Sequence, residues 1–228
     1  MTIRVTKYKG AEKEALQRTV KLEPLNEKQA QYMKALSSSS QVIVTGFSGT
    51  GKTFIAATTA ANMFLQKQIH KIIITRPNVA VGKDLGYLPG DLREKFAPWA
   101  MPVLDVLQKQ LGDGTFETAL KKGNIEMAPL SMMRGRSFDD AFIILDEAQN
   151  TSISEIKMFL TRIGENCKVV VNGDIRQSDI SHQSGLSKIV HMAKKYNMNI
   201  PIIEFEIDDI VRSDICKEWI IAFTSENL

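Results

Sequence analysis

Unbroken apolar runs with little polar alternation recur along this chain at Gln41–Thr45, Lys71–Thr75, Ala141–Leu145, Cys167–Asn172 and Ile202–Ile207. Runs of this kind predict parallel strands buried on both faces, because a strand with one wet face alternates instead. Between them lie stretches that predict helices at Thr53–Gln66, Ser152–Arg162, Gly185–Tyr196 and Asp214–Phe223. A further helix is predicted from Asn26 to Leu36, with Asn26 as its cap and Gln29 placed as in a capping box. Strand and helix in alternation predict an α/β fold built on a parallel sheet.

The stretch from residue 78 to 122 is too long for a simple crossover and reads as a helical insertion. Its helices are predicted at Leu92–Leu111, broken or kinked by Pro98 and Pro102, and at Thr115–Lys122. A short strand near Ile125–Ala128 returns the chain to the sheet. Phe96, Trp99 and Phe116 in this insertion have two uses open to them, stacking on bases or packing in the core.

Composition changes this picture little. With 228 residues, 43% apolar and 24% charged, the chain has the balance of a soluble globular domain able to bury its own core. No apolar run approaches the roughly 18 residues of a membrane span, so no membrane association and a cytoplasmic location are expected. Cys167 and Cys216 have no metal-site spacing and predict free thiols rather than a disulfide. Charge matters more through its distribution. Residues 1–21 carry six bases against two acids, a net +4, which leaves −1 for the rest of a chain whose total is +3. The expected organisation is therefore a basic N-terminal extension at 1–22 and a single domain at 23–228. The extension could touch phosphates or could be a solvated terminus.

The candidate chemistry begins at Gly46-Phe47-Ser48-Gly49-Thr50-Gly51-Lys52-Thr53, a GxxxxGK[ST] run between an apolar strand and a helix. Glycines there allow a turn that aims backbone N–H groups at phosphates, and the opening of the helix adds a positive dipole end. Gly46, Ser48, Gly49, Thr50 and Gly51 are thus expected to cradle a nucleoside triphosphate, with Lys52 on its β- and γ-phosphates and Thr53 on Mg²⁺. A second apolar strand ends in Asp146-Glu147-Ala148-Gln149. Its end lies on the carboxyl edge of the sheet, where ligands of α/β folds bind. Asp146 is expected to hold Mg²⁺ and Glu147 to act as base for an attacking water, a pairing that favours hydrolysis over transfer to a small acceptor.

A third strand leads into Asn172-Gly173-Asp174 and then Gln177, either a simple turn or a second set of polar groups facing the nucleotide, with Gln177 on the γ-phosphate or its water. Arg76 ends another strand and lies on the same rim, and Arg134 and Arg136 flank Gly135 just before the acidic strand. Phosphate contact and surface ion pairing are both open to these arginines.

Taken together, these residues resemble the PhoH family of P-loop ATPases, whose fold is similar to the RecA-like nucleotide-binding domain of superfamily 1 helicases. The likeness covers about residues 25–223 and is carried by the phosphate loop, the run from Ile74-Thr75-Arg76-Pro77 through Leu85-Gly86-Tyr87-Leu88-Pro89-Gly90, Met133-Arg134-Gly135-Arg136-Ser137, Phe142–Asn150, Gly173-Asp174 with Gln177, and Asp208-Asp209-Ile210-Val211-Arg212-Ser213. The short form looks like phage-encoded members. The resemblance implies ATP and Mg²⁺ as ligands, ATP hydrolysis, and single-stranded RNA or DNA as a partner. It implies that Gln29 reads the adenine, that Asp174 and Gln177 sense the γ-phosphate, and that Arg212 is an arginine finger. Because one chain holds one phosphate loop and Arg212 falls after the last strand, on the far edge of its own domain and away from its own γ-phosphate, Arg212 is expected to act in trans, completing the site of a neighbouring subunit. A head-to-tail contact of that kind closes into a ring, expected from the family to be a hexamer. A nucleotide-switched binding or assembly protein is the alternative. A small-molecule kinase is a third reading, weakened by Glu147 and by the lack of a clear acceptor pocket or lid.

Overall fold

The computed structural model describes residues 19–77, 92–177 and 184–226, with side chains from Pro98 onward in the middle stretch. Most of the basic extension, the segment Leu85–Gly90 and the side chain of Phe96 therefore lie outside the described residues. Six strands, β1 (Gln41–Gly46), β2 (Lys71–Arg76), β3 (Ile125–Pro129), β4 (Ala141–Leu145), β5 (Lys168–Gly173) and β6 (Ile202–Phe205), form one sheet in the order β3-β2-β4-β5-β1-β6. Every pairing in it is parallel.

Alternate residues of each strand enter two separate cores. Val42, Val44, Ile72, Ile74, Phe142 and Ile144 face one side, and Ile43, Ile73, Ile143, Leu145 and Val171 the other. This is why the strands read as unbroken apolar runs: neither face is wet. Each such side chain contributes about 1.5–3 kcal/mol on burial. The first core is closed by α1 (Glu27–Ser38), α2 (Lys52–Leu65), α3 (Leu92–Leu111) and α4 (Asp113–Lys121), and the second by α5 (Ile153–Leu160) and α6 (Gly185–Lys195). Ala56, Ala57, Ala60 and Ala61 of α2 are fully buried, and their small side chains let the helix that follows the phosphate loop lie close on its neighbours.

Two expectations change and one open choice closes. Helix α3 runs through Pro98 and Pro102 without a break. Buried Ala100, Val103, Leu104, Leu107 and Leu111 hold it against the first core, so packing outweighs the two missing N–H donors. Phe116 is buried and Trp99 packs against the same core, which assigns both to packing. The last strand ends at Phe205 rather than Ile207, because Ile207–Asp209 turn as a short 3-10 helix in which Asp209 Oδ2 accepts from Glu206 N at 2.8 Å. Cys167 and Cys216 are free thiols. Among the described residues no helix is long and apolar enough to cross a membrane.

Candidate functional site

Strand register brings the chemistry to one rim. Thr45 of β1 lies opposite Gly173 of β5, and Leu145 of β4 lies opposite both Val171 and Thr75. One residue further on, the phosphate loop, Asp174, Asp146 and Arg76 all emerge at the carboxyl edge. They surround a cleft of about 760 Å³, a size suited to a nucleotide-scale ligand.

The loop is tied down from several sides. Gly46 has φ +120°, and a Cβ there would overlap the carbonyl of Phe205 on β6, so no other residue fits. Gly51 has φ +90° and opens α2, with a notional Cβ only 2.9 Å from Gln29 Nε2. Thr50 is fully buried and turns its hydroxyl inward to Phe47 O at 2.9 Å, so it can offer a ligand only its backbone N–H. Lys52 Nζ donates to Gly46 O and Phe47 O, both at 2.6 Å. Burial pushes the Lys52 ammonium below its ordinary pKa, while Asp174, Asp146 and Glu147 pull it back up. Ser48 is exposed at the mouth of the cleft.

Gln29 lines the cleft and also braces the backbone around it. Asn26 Oδ1 caps α1 by accepting from Gln29 N at 2.8 Å, but the reciprocal arm of a capping box is missing. Gln29 Oε1 instead accepts from Leu25 N at 2.9 Å, and its Nε2 donates to Thr50 O at 2.9 Å. The amide lines the cleft, and its oxygen and its nitrogen each make one hydrogen bond to the backbone that supports the loop.

Asp146 is only 8% exposed and lies 3.4 Å from the Thr53 hydroxyl, which donates to its Oδ1. Burial pushes its carboxyl above the ordinary range, with Glu147 adding to the rise and Arg76 opposing it. Among the described residues no group of three or more His, Cys, Asp or Glu could hold a metal alone. Thr53 and Asp146 are an oxygen pair of the kind Mg²⁺ accepts from a protein when water and phosphate supply the rest of its shell, so the residues present fit that ion.

Glu147 takes the left-handed conformation, φ +53° and ψ +38°. Successive side chains of a strand point to opposite faces. The reversal at Glu147 breaks that alternation and lets Asp146 and Glu147 line the same cleft. A non-glycine residue held there is strained, and such strain collects at functional sites. Glu147 Oε1 pairs with Arg76 Nη2 at 3.2 Å, and its Oε2 accepts from Gln149 Nε2 at 2.5 Å. Gln149 Oε1 in turn accepts from Asp174 N at 3.0 Å. Asp174 Oδ1 accepts from Arg176 N, while its buried Oδ2 has no hydrogen-bond partner among the described residues and stands available to a ligand. Gln177 lines the cleft beside it. The Arg176 guanidinium stacks on the Phe47 ring of the phosphate loop at 3.6 Å.

The premise placing Arg212 far from its own loop fails. Strand β6 is the neighbour of β1, so the chain leaving it returns over the loop. Val211 N donates to Gly49 O at 3.0 Å, a notional Cβ on Gly49 would lie 2.7 Å from Arg212 Cγ, and Arg212 lines the cleft of its own chain. Arg136 also leaves the phosphate readings behind: it forks onto Glu126, whose carboxyl these hydrogen bonds hold down at about 2, and Glu126 also takes Lys71 at 2.8 Å. Arg134 is exposed.

Two participants were not legible beforehand. Gln149 carried a signal, standing two residues past Glu147 in the same turn. The Arg176–Phe47 stack carried none, since only the fold brings those loops together.

A single parallel sheet, a phosphate loop after β1, and an acidic pair after β4 with one strand between them define a RecA-like P-loop domain. The family model described as PhoH-like protein matches residues 21–224, and the chain belongs to that family. It is 44% identical over 203 residues to Protein PhoH of Escherichia coli (strain K12), covering 87% of this chain and 57% of that one. It is 42% identical over 201 residues to the PhoH-like protein of Bacillus subtilis (strain 168), covering 87% of this chain and 63% of the relative. The chain thus spans less than two thirds of the length of these relatives. Among solved structures, the large terminase of a thermophilic bacteriophage superposes with a TM-score of 0.53 at 13% identity, covering 87% of this chain and 50% of that one, a likeness of fold.

Proposed function

We propose that the chain binds ATP with Mg²⁺ in this cleft, hydrolyses it, and couples the cycle to single-stranded RNA or DNA. The observation that carries hydrolysis is the reversal at Glu147, which sets a carboxylate for the water beside the carboxylate for the metal. Lys52 exchanges its loop carbonyls for β- and γ-phosphate oxygens. Thr53 and Asp146 hold Mg²⁺, which when bound neutralises phosphate charge. Glu147 takes the proton of the water as its oxygen attacks the γ-phosphorus and the bond to ADP breaks. Asp174 and Gln177 register the γ-phosphate. Arg212 brings its charge to the same chain's nucleotide, so the site needs no finger from a neighbour.

A polymer partner would act on the site through the insertion. Pro102 and Val106 of the insertion helix α3 border the cleft, so whatever moves α3 reaches the site. Turnover is expected to rise several-fold when single-stranded RNA or DNA is added. An active chain that no polynucleotide stimulates would favour the nucleotide-switched assembly protein instead.

Support for an oligomer comes from α7 (Asp214–Ser225), in which no residue is buried. Ile215, Trp219 and Phe223 recur at every fourth position and are 66%, 61% and 50% exposed, the two rings stacked at 5.6 Å. A helix of this length is marginal without packing, and association of copies, in a ring of six by the family's example, would cover it. Trp219→Asp with Phe223→Asp is expected to lower the native mass toward one chain while binding of a fluorescent ATP analogue persists. An unchanged mass would remove α7 from the contact.

A further inference from the structure

We propose that Arg76 is the positioning residue for Glu147 and that it is held in place by the insertion helix α3. This rests on the hydrolysis reading above. Glu147 is 40% exposed in its side chain, and a glutamate that free samples many rotamers, at a cost of up to about 2 kcal/mol when one must be selected. Two donors select it here, one on each oxygen: Arg76 Nη2 at 3.2 Å and Gln149 Nε2 at 2.5 Å. Each oxygen keeps a lone pair for the water.

Arg76 is suited to the task by its own anchoring. It closes β2, its side chain is only 18% exposed, and Nη1 donates to the carbonyl of Trp99 within α3. The planar fork spreads its donors over separate nitrogens, so one holds the helix and the other the carboxylate in a fixed geometry that a lysine's single nitrogen does not reproduce. Pro102 withholds the donor that the carbonyl of residue 98 would take in the helical ladder, one residue before the carbonyl that Arg76 holds. The orientation of the base is therefore set from the insertion, through one arginine that stands apart from the Lys52 and Thr50 hydrogen bonds bracing the phosphate loop.

The test is a kinetic cycle. Arg76→Ala is expected to lower kcat about 10–100-fold, the scale of a misplaced catalytic group, with the affinity for a fluorescent ATP analogue within about threefold of wild type. Arg76→Lys should recover only part of the loss. In a Glu147→Gln background, Arg76→Ala should cost nothing further, because it acts through that carboxylate. A merely structural arginine would instead weaken nucleotide binding, and its loss would add in full to that of Glu147→Gln. Either additivity or unchanged kcat beside an active wild type overturns this assignment alone. A wild-type chain with no turnover overturns the hydrolysis reading and this one with it.

Discussion

Glu147→Gln is expected to slow ATP turnover about 10²–10⁴-fold, the range of a lost general base, while a fluorescent ATP analogue binds as it does to wild type. Glutamine keeps the size of the side chain and an oxygen for one of the two donors, Arg76 or Gln149, while its NH2 faces the other. It cannot take a proton from water. The separation of binding from chemistry is the informative part, because Glu147 borders the cleft without belonging to the loop that grips phosphate. Single-turnover measurement with saturating ATP checks it. Turnover within a few-fold of wild type would remove Glu147 from the chemistry.

Lys52→Ala is expected to fail in both steps. Its ammonium already hydrogen-bonds into the loop, and removing such a group from a developing phosphate charge costs roughly 10²–10³-fold in turnover. Binding should weaken alongside, since the same contact exists before the reaction begins. A structural cost accompanies this. Gly46 O and Phe47 O each lose a 2.6 Å donor, and Phe47 O keeps the Thr50 hydroxyl. An acceptor left without a partner in a buried place costs about 1–3 kcal/mol. Isothermal calorimetry with ATP and a thermal melt separate the two. A variant that melts lower but keeps its turnover would show Lys52 to be a brace for the loop only.

How much of this was legible beforehand depends on distance along the chain. The strands were legible because Ile72-Ile73-Ile74 and Phe142-Ile143-Ile144 are apolar in both directions, and only a sheet covered on both faces asks for that. The phosphate loop and the acidic pair were legible because each is a local run ending a strand. Arg212 was misplaced because its position depends on β6 landing beside β1, which no local pattern encodes. Gln29 resembles a base-reading glutamine in sequence, yet which way its amide turns was decided by Leu25 and Thr50. The Arg76–Glu147 pair depends on the register of β2 against β4, which sets Thr75 beside Leu145. Pattern located the parts of the site; sheet order decided which parts touch.

The left-handed turn at Glu147 has a consequence for how this chain tolerates change. An L-residue held there gives up about 1–2 kcal/mol relative to glycine, and turn-forming asparagine would also sit more easily. Random substitution at this position therefore meets sequences that fold more firmly and do no chemistry. Selection for heat resistance alone would drift toward them, and only selection for turnover would hold the glutamate. Stability and activity pull in opposite directions at this single residue, so a thermostabilised library of this protein should be screened first at position 147 for the carboxylate it is prone to lose.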